Sequence, residues 1–381
     1  MTMDPLEARN LFPITEHYIY MNHAGVAPMS ERARAAVLSV TETAAEQPLG
    51  EEFWNVPQKL RESIATLINA EADSISLVRS TAHAISLLAG GLDWEPGDNV
   101  VGARGEYPAN VYPWLALKDR GVEMRFASNA GGRVEPESVL ELVDGRTRVV
   151  ALSQVEFWNG YRVDLETIGR ECRRRGVILA VDAIQSAGVL QLDMEKLPVD
   201  FLAAGSYKWL LGPLGIGFAY WHPDLIERVR PLLVGVGSVK RNMEFFDYDL
   251  DFVPTAQRFQ ESGISLLDAA AFQAAVDLFL EVGPAVVEER VLDLSAGLGE
   301  RLADAGCELV EPWPRRREES SGIVSFRKPG QSAQEVMRDL NAARVVCRTH
   351  ADFVRLSPHF YNTEEEIDRV VGFVAPEKVR G

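Results

Sequence analysis

The sequence predicts an α/β protein with two domains, the larger of which contains a mainly parallel sheet. The chain has 381 residues, more than one hydrophobic core usually supports, so two domains are expected. Beyond residue 98, short apolar runs alternate with amphipathic segments in a βαβα pattern. These runs are continuous and rich in β-branched residues, which is typical of strands buried on both faces of a parallel sheet covered by helices.

The first part of the chain predicts helices and then alternating elements. Apolar residues recur at helical spacing from about residue 30 to 92, and a turn signal follows at 95–98. The subsequent pattern predicts strands at 99–102, 148–153, 177–182 and 200–204, with helices at 111–120 and 165–175, and the alternation ends near 218–221.

The last part of the chain predicts an α+β domain. The stretch 242–259 has no clear periodicity, and we interpret it as a loop. A long amphipathic helix at about 266–282 leads into the C-terminal section. There the pattern predicts helices near 287–305 and 333–341, with strands near 323–326 and 354–356.

Composition and charge favour an ordinary soluble protein. Hydrophobic residues make up 46% of the chain and charged residues 25%, close to the averages for globular proteins. With 56 acidic and 39 basic residues, the net charge of −17 repels polyanions and anionic membrane surfaces. Neither nucleic acid nor a membrane is therefore an expected partner, and no apolar run approaches the length of a membrane span.

The cysteines and the N-terminus predict a cytoplasmic location. Cys172, Cys307 and Cys347 are far apart and contain no CxxC pair, so neither a disulfide framework nor a zinc site is indicated. We expect no metal. The first residues lack the basic region and apolar stretch that direct export.

Asp182 and Lys208 are the two residues whose positions suggest chemistry. Asp182 ends a predicted strand, at the edge where ligands bind in open α/β sheets, and Lys208 stands among small and apolar residues. Chemistry at the α-carbon of an amino acid needs an amine for a cofactor aldehyde and a carboxylate that keeps a pyridine nitrogen protonated. Burial should lower the pKa of the lysine. Alternatively, Lys208 is a surface lysine and Asp182 a helix cap, and the pair alone does not decide between these readings.

Six blocks in the right order make the chain resemble the class V aminotransferase and cysteine desulfurase family. They lie at 20–25, 80–84, 105–110, 181–186, 205–208 and 355–368. Segments 159–165 and 208–213 resemble the branch with isopenicillin N epimerase-like and C–S lyase-like members. The resemblance implies a fold-type-I, pyridoxal-phosphate-dependent homodimer with shared active sites. Its large domain would span 16–260, and its small domain would comprise 261–381 with an N-terminal arm, 1–15.

The resemblance also implies roles for residues around the cofactor. Lys208 would form the Schiff base with pyridoxal 5′-phosphate, and Asp182 would partner its pyridinium nitrogen. Gln185 would donate a hydrogen bond to its phenolic oxygen. Tyr107 would stack on the cofactor face, although a tyrosine before a proline is more often involved in turn packing.

Further cofactor contacts are expected from serine and threonine residues. Ser80, Thr81 and Ala82 precede a helical run and would hold the cofactor phosphate at a helix N-terminus, with plain helix capping as the alternative. Ser206, two residues before the lysine, and Ser265 are additional candidates for cofactor binding.

Three residues are candidates for substrate binding. Arg355 matches the family arginine that holds the substrate α-carboxylate, which suits a planar bidentate donor and implies amino-acid substrates. A surface ion pair is the alternative for this residue. Arg348 and His23 are candidates for lining the substrate pocket, although a lone histidine is more often structural.

The chain departs from the family pattern at several positions. Cysteine desulfurases need a nucleophilic cysteine on a mobile loop, but here that segment is short and Cys347 falls in the preceding strand. We therefore favour a buried structural thiol over a persulfide carrier. Phe157 stands where asparagine is common and Tyr207 where histidine is common. Ile264 replaces a hydroxyl residue that in relatives reaches the neighbouring subunit's cofactor phosphate.

We therefore expect an enzyme that acts on the α-carbon of an amino acid. Lyase chemistry, such as β-elimination of a C–S bond, and transamination are ranked level. Epimerisation of the isopenicillin N epimerase type and desulfuration through Cys347 are the alternatives. A non-catalytic relative should lack Lys208 or Asp182. A nucleotide-binding oxidoreductase should show GxGxxG after an early strand, whereas the glycine-rich segment 212–217 follows the lysine.

Overall fold

The computed structural model describes residues 3–375 apart from Asn242, Phe245 and Asp247. Within that part of the chain, the strands form one large sheet and two smaller ones. The strands are β1 Ile19–Tyr20, β2 Ile75–Val78, β3 Asn99–Ala103, β4 Glu123–Ala127, β5 Thr147–Ser153, β6 Ile178–Asp182, β7 Phe201–Gly205, β8 Gly217–Trp221, β9 Glu308–Leu309, β10 Val324–Arg327, β11 Val345–Val346, β12 Arg348–His350 and β13 Phe353–Leu356.

The large sheet has the strand order β2-β8-β7-β6-β5-β3-β4. All its neighbouring pairs are parallel except those of β8, which runs antiparallel to both β7 and β2. Successive residues of β5 alternate between two apolar cores: Val150 and Leu152 pack into one, and Val149 and Ala151 into the other. Burial on both faces explains the continuous apolar runs of the sequence, and the predicted α/β fold with a mainly parallel sheet is confirmed.

Helices cover both faces of this sheet and form much of the remaining structure. Two of them, α2 and α4, pack against the long helix α10. The helices are α1 Pro5–Arg9, α2 Glu31–Glu46, α3 Glu51–Trp54, α4 Val56–Ile68, α5 Thr81–Gly91, α6 Tyr112–Leu115, α7 Pro136–Leu140, α8 Leu165–Arg175, α9 Pro223–Ile226, α10 Leu266–Val282, α11 Pro284–Asp304, α12 Ala333–Ala342 and α13 Glu364–Val374.

The C-terminal part contains an antiparallel sheet with the order β12-β13-β10-β9. Helix α12 packs against β12 and β13. Near the N-terminus, β1 pairs in parallel with β11, which ties the two ends of the chain together. The domain limits at 16 and 260 stay a prediction. β1, which those limits assign to the large domain, pairs with a C-terminal strand, and Phe272 of α10 joins a core of the large sheet.

Two regions contain secondary structure that the sequence pattern did not predict. Strand β2 lies in the region where we expected mainly helices, because its four buried residues, three of them apolar, are too few to show a periodicity that separates a strand from a helix. Within the predicted loop 242–259, Ala256–Phe259 forms a 3-10 helix, while Asn242, Phe245 and Asp247 lie outside the described residues. Over the described ranges, no single helix has the length and apolar composition of a membrane span. Helices α10 and α11 have that length and composition only when taken together, and they are bent by 84° where they meet.

Candidate active site

Asp182 ends β6 at the carboxyl edge of the large sheet, as the sequence predicts. Its side chain is only 2% exposed. One carboxylate oxygen accepts a hydrogen bond from the Ile184 N–H at 2.9 Å, whereas Oδ2 is buried without a partner among the described residues. Burial raises the pKa of this carboxyl to about 6, against the opposing effects of the Ile184 N–H and the charge of Lys208. Oδ2 is therefore an acceptor available to a group that donates a proton.

Lys208 lies three residues beyond the end of β7, which is the neighbour of β6 in the sheet. It is therefore at the same edge of the sheet as Asp182. It is 7% exposed, and burial lowers its pKa to about 8, with a further decrease from the Arg355 charge and an increase from Asp182. The loop that carries it is tightly connected, because the Leu211 N–H donates to the Lys208 carbonyl at 3.0 Å. A buried amine held between an acid and a guanidinium can exist as a free base near neutral pH.

Ser206 supports this loop through its side chain. Its hydroxyl is fully buried and lies within hydrogen-bonding distance of the Pro213 and Ile216 carbonyls. The hydroxyl is therefore engaged with the chain segment that follows Lys208. The cofactor contact expected for Ser206 stays a prediction.

The segment 80–82 forms the N-terminus of helix α5, as expected. The Ser80 hydroxyl accepts a hydrogen bond from the His83 N–H, and the Thr81 hydroxyl accepts one from the Gly205 N–H at 3.0 Å. The second contact joins the helix N-terminus to the start of the lysine loop. The N–H groups of Thr81 and Ala82 begin the helix and have no intrahelical acceptor. An eleven-residue helix with these free donors is suited to binding a phosphate beside Lys208.

Aromatic rings surround the lysine amine. The Tyr107 ring lies 5.5 Å from Lys208 Nζ, and the Tyr207 ring lies 5.9 Å from it. Tyr107 also makes an edge contact with Phe157, with ring centroids 5.3 Å apart. Because Tyr107 is 44% exposed, its ring borders open space next to the amine, where a flat cofactor could stack.

Arg355 of β13 is 3% exposed and faces the same region. Its Nη1 donates to the Phe157 carbonyl at 2.6 Å, whereas its Nε is buried without a partner among the described residues. Burial and the nearby charge of Arg348 lower its pKa to about 10. Arg348 is exposed and lies directly opposite Arg355 on β12. The structure thus brings both predicted arginines together near Lys208.

Gln185 and His23 lie behind the lysine loop. The Gln185 amide donates one N–H to the Ala24 carbonyl at 3.2 Å and accepts from Trp209 Nε1 at 2.8 Å, which leaves one further N–H. His23 is fully buried, and its two ring nitrogens contact the Ser357 carbonyl at 2.8 Å and the Tyr361 hydroxyl at 2.6 Å. With both nitrogens engaged, His23 supports the packing of the N-terminal segment, and its expected place in the substrate pocket stays a prediction.

Ser265 lies at the N-terminus of α10. It is exposed and caps α10 by accepting a hydrogen bond from the Asp268 N–H at 3.3 Å. Together with Ile264, Arg79 and His83 it lines a cavity of about 230 Å³. Its expected contact with a cofactor stays a prediction.

Sequence reasoning missed two buried carboxyl groups next to Asp182. Glu106 accepts hydrogen bonds from the backbone N–H and hydroxyl of Ser153, the residue paired with Asp182 across β5 and β6. Glu156 is 1% exposed, and both of its carboxyl oxygens lack partners among the described residues. Burial, then the charge of Glu106, raises the pKa of Glu156 well above its ordinary value. Glu156 follows β5 at the carboxyl edge, so the rule that identified Asp182 could have found it.

Glu106 predicts a pH dependence of stability in the cofactor-free protein. Burial raises its pKa from 4.5 to about 7, although the Ser153 hydrogen bonds oppose the rise. The folded protein therefore keeps a proton that the unfolded chain has released, and the free energy of unfolding should fall as pH rises through this window. Glu106→Gln removes the titration but can keep both contacts with Ser153.

We expect the free energy of unfolding of the wild type, relative to Glu106→Gln, to decrease by about 3 kcal/mol between about pH 5 and about pH 8. Urea unfolding of both cofactor-free proteins at the two pH values measures this difference. The same change with pH in both proteins would show that Glu106 ionises normally.

The chemistry of the site fits pyridoxal phosphate. Asp182 Oδ2 offers an unpartnered carboxylate oxygen for a protonated ring nitrogen, and Lys208 offers a buried amine for the aldehyde. The N-terminus of α5 offers free N–H groups for the phosphate. These three groups lie at or beside the carboxyl edge of the sheet, where ligands bind in open α/β folds.

Comparison with known proteins assigns the chain to a family. The model for aminotransferase class V matches residues 30–370. A probable cysteine desulfurase of Methanothermobacter thermautotrophicus is 30% identical over 330 residues, which cover 81% of this chain and 80% of the relative. The isopenicillin N epimerase of Streptomyces clavuligerus is 28% identical over 388 aligned positions, covering 96% of each chain.

Solved structures share the fold. A cysteine desulfurase from Thermococcus onnurineus, in its apo form, superposes with a TM-score of 0.88 at 23% identity, covering 98% of this chain and 97% of that one. The cystine C–S lyase C-DES, bound to its product cysteine persulfide, gives a TM-score of 0.87 at 24% identity and covers 96% and 100%. With the geometry above, this chain is a pyridoxal-phosphate-dependent enzyme and belongs to the class V aminotransferase family.

Proposed function

We propose that this enzyme breaks the C–S bond of a sulfur-containing amino acid by β-elimination. The observation that carries the proposal is the buried Lys208 amine, on which the charges of Asp182 and Arg355 both act. Arg355 would hold the α-carboxylate, since its guanidinium is fixed by the Phe157 carbonyl and keeps a buried donor without a partner. The substrate α-carbon would then lie within reach of the lysine.

Each residue has a stated task in this reaction. Pyridoxal phosphate, when bound, withdraws electrons from the substrate α-carbon. Asp182 would hold the cofactor's ring nitrogen in its protonated form through its unpartnered Oδ2. Lys208, whose pKa is lowered to about 8, takes the α-proton as a free amine. The electron pair of the broken Cα–H bond would form a double bond between the α- and β-carbons, while the electron pair of the C–S bond leaves with the sulfur. Water would then release the remaining fragment as pyruvate and ammonia.

The cysteines favour release of the sulfur over its capture by the protein. Cys347 packs into the apolar core of the C-terminal part, and burial raises its pKa to about 12. A nucleophilic cysteine must ionise readily, so this thiol is poorly suited to accept sulfur. The turn between β12 and β13 contains only Ala351 and Asp352. Sulfur would thus leave as a small-molecule thiol, persulfide or sulfide.

Epimerisation is the second candidate function, because one observation favours it. A reaction that inverts the α-carbon needs a proton donor on the face opposite the lysine. Tyr107 has a hydroxyl-bearing ring 5.5 Å from Lys208 Nζ. The isopenicillin N epimerase relative also matches nearly the full length of the chain. Transamination remains the third outcome, since Lys208 alone could return the proton.

Product analysis separates these functions. The purified holoenzyme would be incubated with L-cysteine and with L-cystine, and sulfide or persulfide, pyruvate and ammonia would be measured. The proposal expects pyruvate and ammonia in equal amounts with the sulfur product. Formation of the D-isomer without pyruvate would support epimerisation. A keto acid that keeps the sulfur, formed with amino transfer to an added keto acid, would support transamination.

We also propose that two copies of the chain associate. Leu232, Leu233 and Val234 are consecutive and 39–47% exposed, and Phe246 and Tyr248 are 94% and 93% exposed. Large exposed apolar side chains, here within 232–248 of the sequence, are often found at protein interfaces. Light scattering should give twice the chain mass of 42.2 kDa, and a single chain mass would refute association.

A further inference from the structure

On one face of the small sheet, strands β12 and β13 carry three nitrogen-bearing side chains. Arg348 lies directly opposite Arg355, and His350 lies directly opposite Phe353, in the antiparallel pair β12 and β13. Residues directly opposite each other share a face of the sheet, as do residues two positions apart along a strand. Arg348, His350 and Arg355 therefore lie on the same face.

This face points toward the active-site cleft. Arg355 donates to the Phe157 carbonyl at 2.6 Å, and the His350 ring lies 5.6 Å from the Phe157 ring. Phe157 in turn contacts Tyr107, whose ring lies beside the Lys208 amine. The opposite face of the sheet is covered by α12, because Val354, which alternates with Arg355, joins the apolar core that contains Val336 and Leu340 of that helix. The two faces of the sheet thus have different neighbours: Val336 and Leu340 lie on one side and Phe157 on the other.

The cleft-facing side of the sheet has positive charge without compensation. Among the described residues, no carboxylate lies within 4.0 Å of the guanidinium nitrogens of Arg348 or Arg355. Arg327 on the adjacent strand β10, by contrast, is paired with Asp352 at 2.7 Å. The charge of Arg348 also lowers the pKa of Arg355. A single α-carboxylate bound by Arg355 would leave the charge of Arg348 unbalanced.

His350 adds a hydrogen-bonding group at the same place. Its Nε2 is buried and has no partner among the described residues. Burial, followed by the charges of Arg355, Arg348 and Lys208, lowers its pKa to about 4, so the ring is neutral near pH 7. A neutral imidazole can donate or accept through an unengaged nitrogen. An unpartnered buried nitrogen beside an uncompensated arginine indicates a missing polar ligand.

We propose that Arg348 and His350 form a second subsite, which binds an anionic group at the end of the substrate side chain. Arg348 is exposed and Arg355 is buried, so Arg355 holds the α-carboxylate inside the cleft and Arg348 holds the distal anion nearer its mouth. The subsite selects amino acids with an anionic group at the end of the side chain, such as a carboxylate. This proposal rests on the proposed function and adds the class of amino acid that the enzyme would accept.

Binding of matched amino acids to the holoenzyme tests this subsite. Aspartate and asparagine have nearly the same shape and differ in charge, as do glutamate and glutamine. Dissociation constants would be measured from the change in the visible absorption of the cofactor on titration with each amino acid. In the wild type, at least one anionic member should bind about tenfold more tightly than its amide, as expected for a charge-assisted contact.

Two variants make the test specific. Arg348→Gln should reduce the ratio of the two affinities to about one, because the charge that distinguishes anion from amide is removed. Arg338→Gln is the matched control, since Arg338 lies on α12, which covers the opposite face of the sheet, and its side chain is 72% exposed. The control removes the same charge from the same part of the fold and should keep the wild-type ratio.

The outcomes distinguish the subsite from the proposed function. A ratio near one in the wild type, or an unchanged ratio in Arg348→Gln, would overturn the subsite alone. Equal weakening of both members of a pair in Arg348→Gln would mean that Arg348 assists with the α-carboxylate, and would also overturn it. If no amino acid changes the spectrum, the proposed function fails, and the subsite fails with it.

Discussion

Replacing Lys208 with alanine is expected to abolish the visible absorption of the lysine-bound cofactor and to lower turnover by about 100-fold to 10,000-fold. The wild-type amine is 7% exposed, and its pKa is lowered to about 8, so it can both join the cofactor aldehyde and accept a proton. Alanine can do neither. Turnover on the best amino acid from the product analysis and the absorption spectrum measure the two effects.

Lys196→Ala is the control for this variant. The Lys196 side chain is 83% exposed and pairs with Asp193, so its loss should change neither the spectrum nor turnover. Retention of the wild-type spectrum in Lys208→Ala would mean that another amine carries the cofactor. The proposed role of Lys208 would then be wrong.

Replacing Asp182 with asparagine is expected to lower turnover by about 100-fold or more while the cofactor stays joined to Lys208. The amide can keep the hydrogen bond from the Ile184 N–H through its oxygen. The amide nitrogen then takes the position of Oδ2 and presents an uncharged N–H donor. The cofactor's ring nitrogen would lose the anion that keeps it protonated. Turnover, together with the visible spectrum recorded across a range of pH, would show this change.

Asp200→Asn provides a matched control. Asp200 precedes β7 at the opposite edge of the same sheet, and its Oδ2 accepts a hydrogen bond from the Leu179 N–H at 2.8 Å. An amide oxygen can replace that acceptor, so this variant should keep wild-type turnover. Equal turnover of Asp182→Asn and the wild type would refute the role of Asp182, whatever the control shows.

Much of the fold could be predicted because apolar residues recur at different spacings in helices and in buried strands. The helix α10 was expected at the residues where it occurs, and β5, β6 and β7 lie within about one residue of their predicted limits. Strand β2 could not be identified, because its four buried residues, Ser76 among them, fit either a buried helix or a buried strand. Pairing of β1 with β11 could not be predicted either, since it joins residues more than 300 positions apart.

The site was only partly predictable for a different reason. A residue type at the end of a strand indicates a site, which is why Asp182 and Lys208 could be identified. Which hydrogen bonds a side chain makes depends on neighbours distant in sequence. The two protein partners of the His23 ring and the loop carbonyls near the Ser206 hydroxyl are contacts of this kind.

Identifying the residue that carries the cofactor tests the proposed role of Lys208 directly. Borohydride reduces the bond between a lysine and pyridoxal phosphate to a stable linkage, so the reduced holoenzyme can be digested and its peptides analysed by mass spectrometry. We expect one phosphopyridoxyl group, on the peptide that contains Lys208 and attached to that lysine. A label on a different lysine, or no label after incubation with excess cofactor, would contradict it.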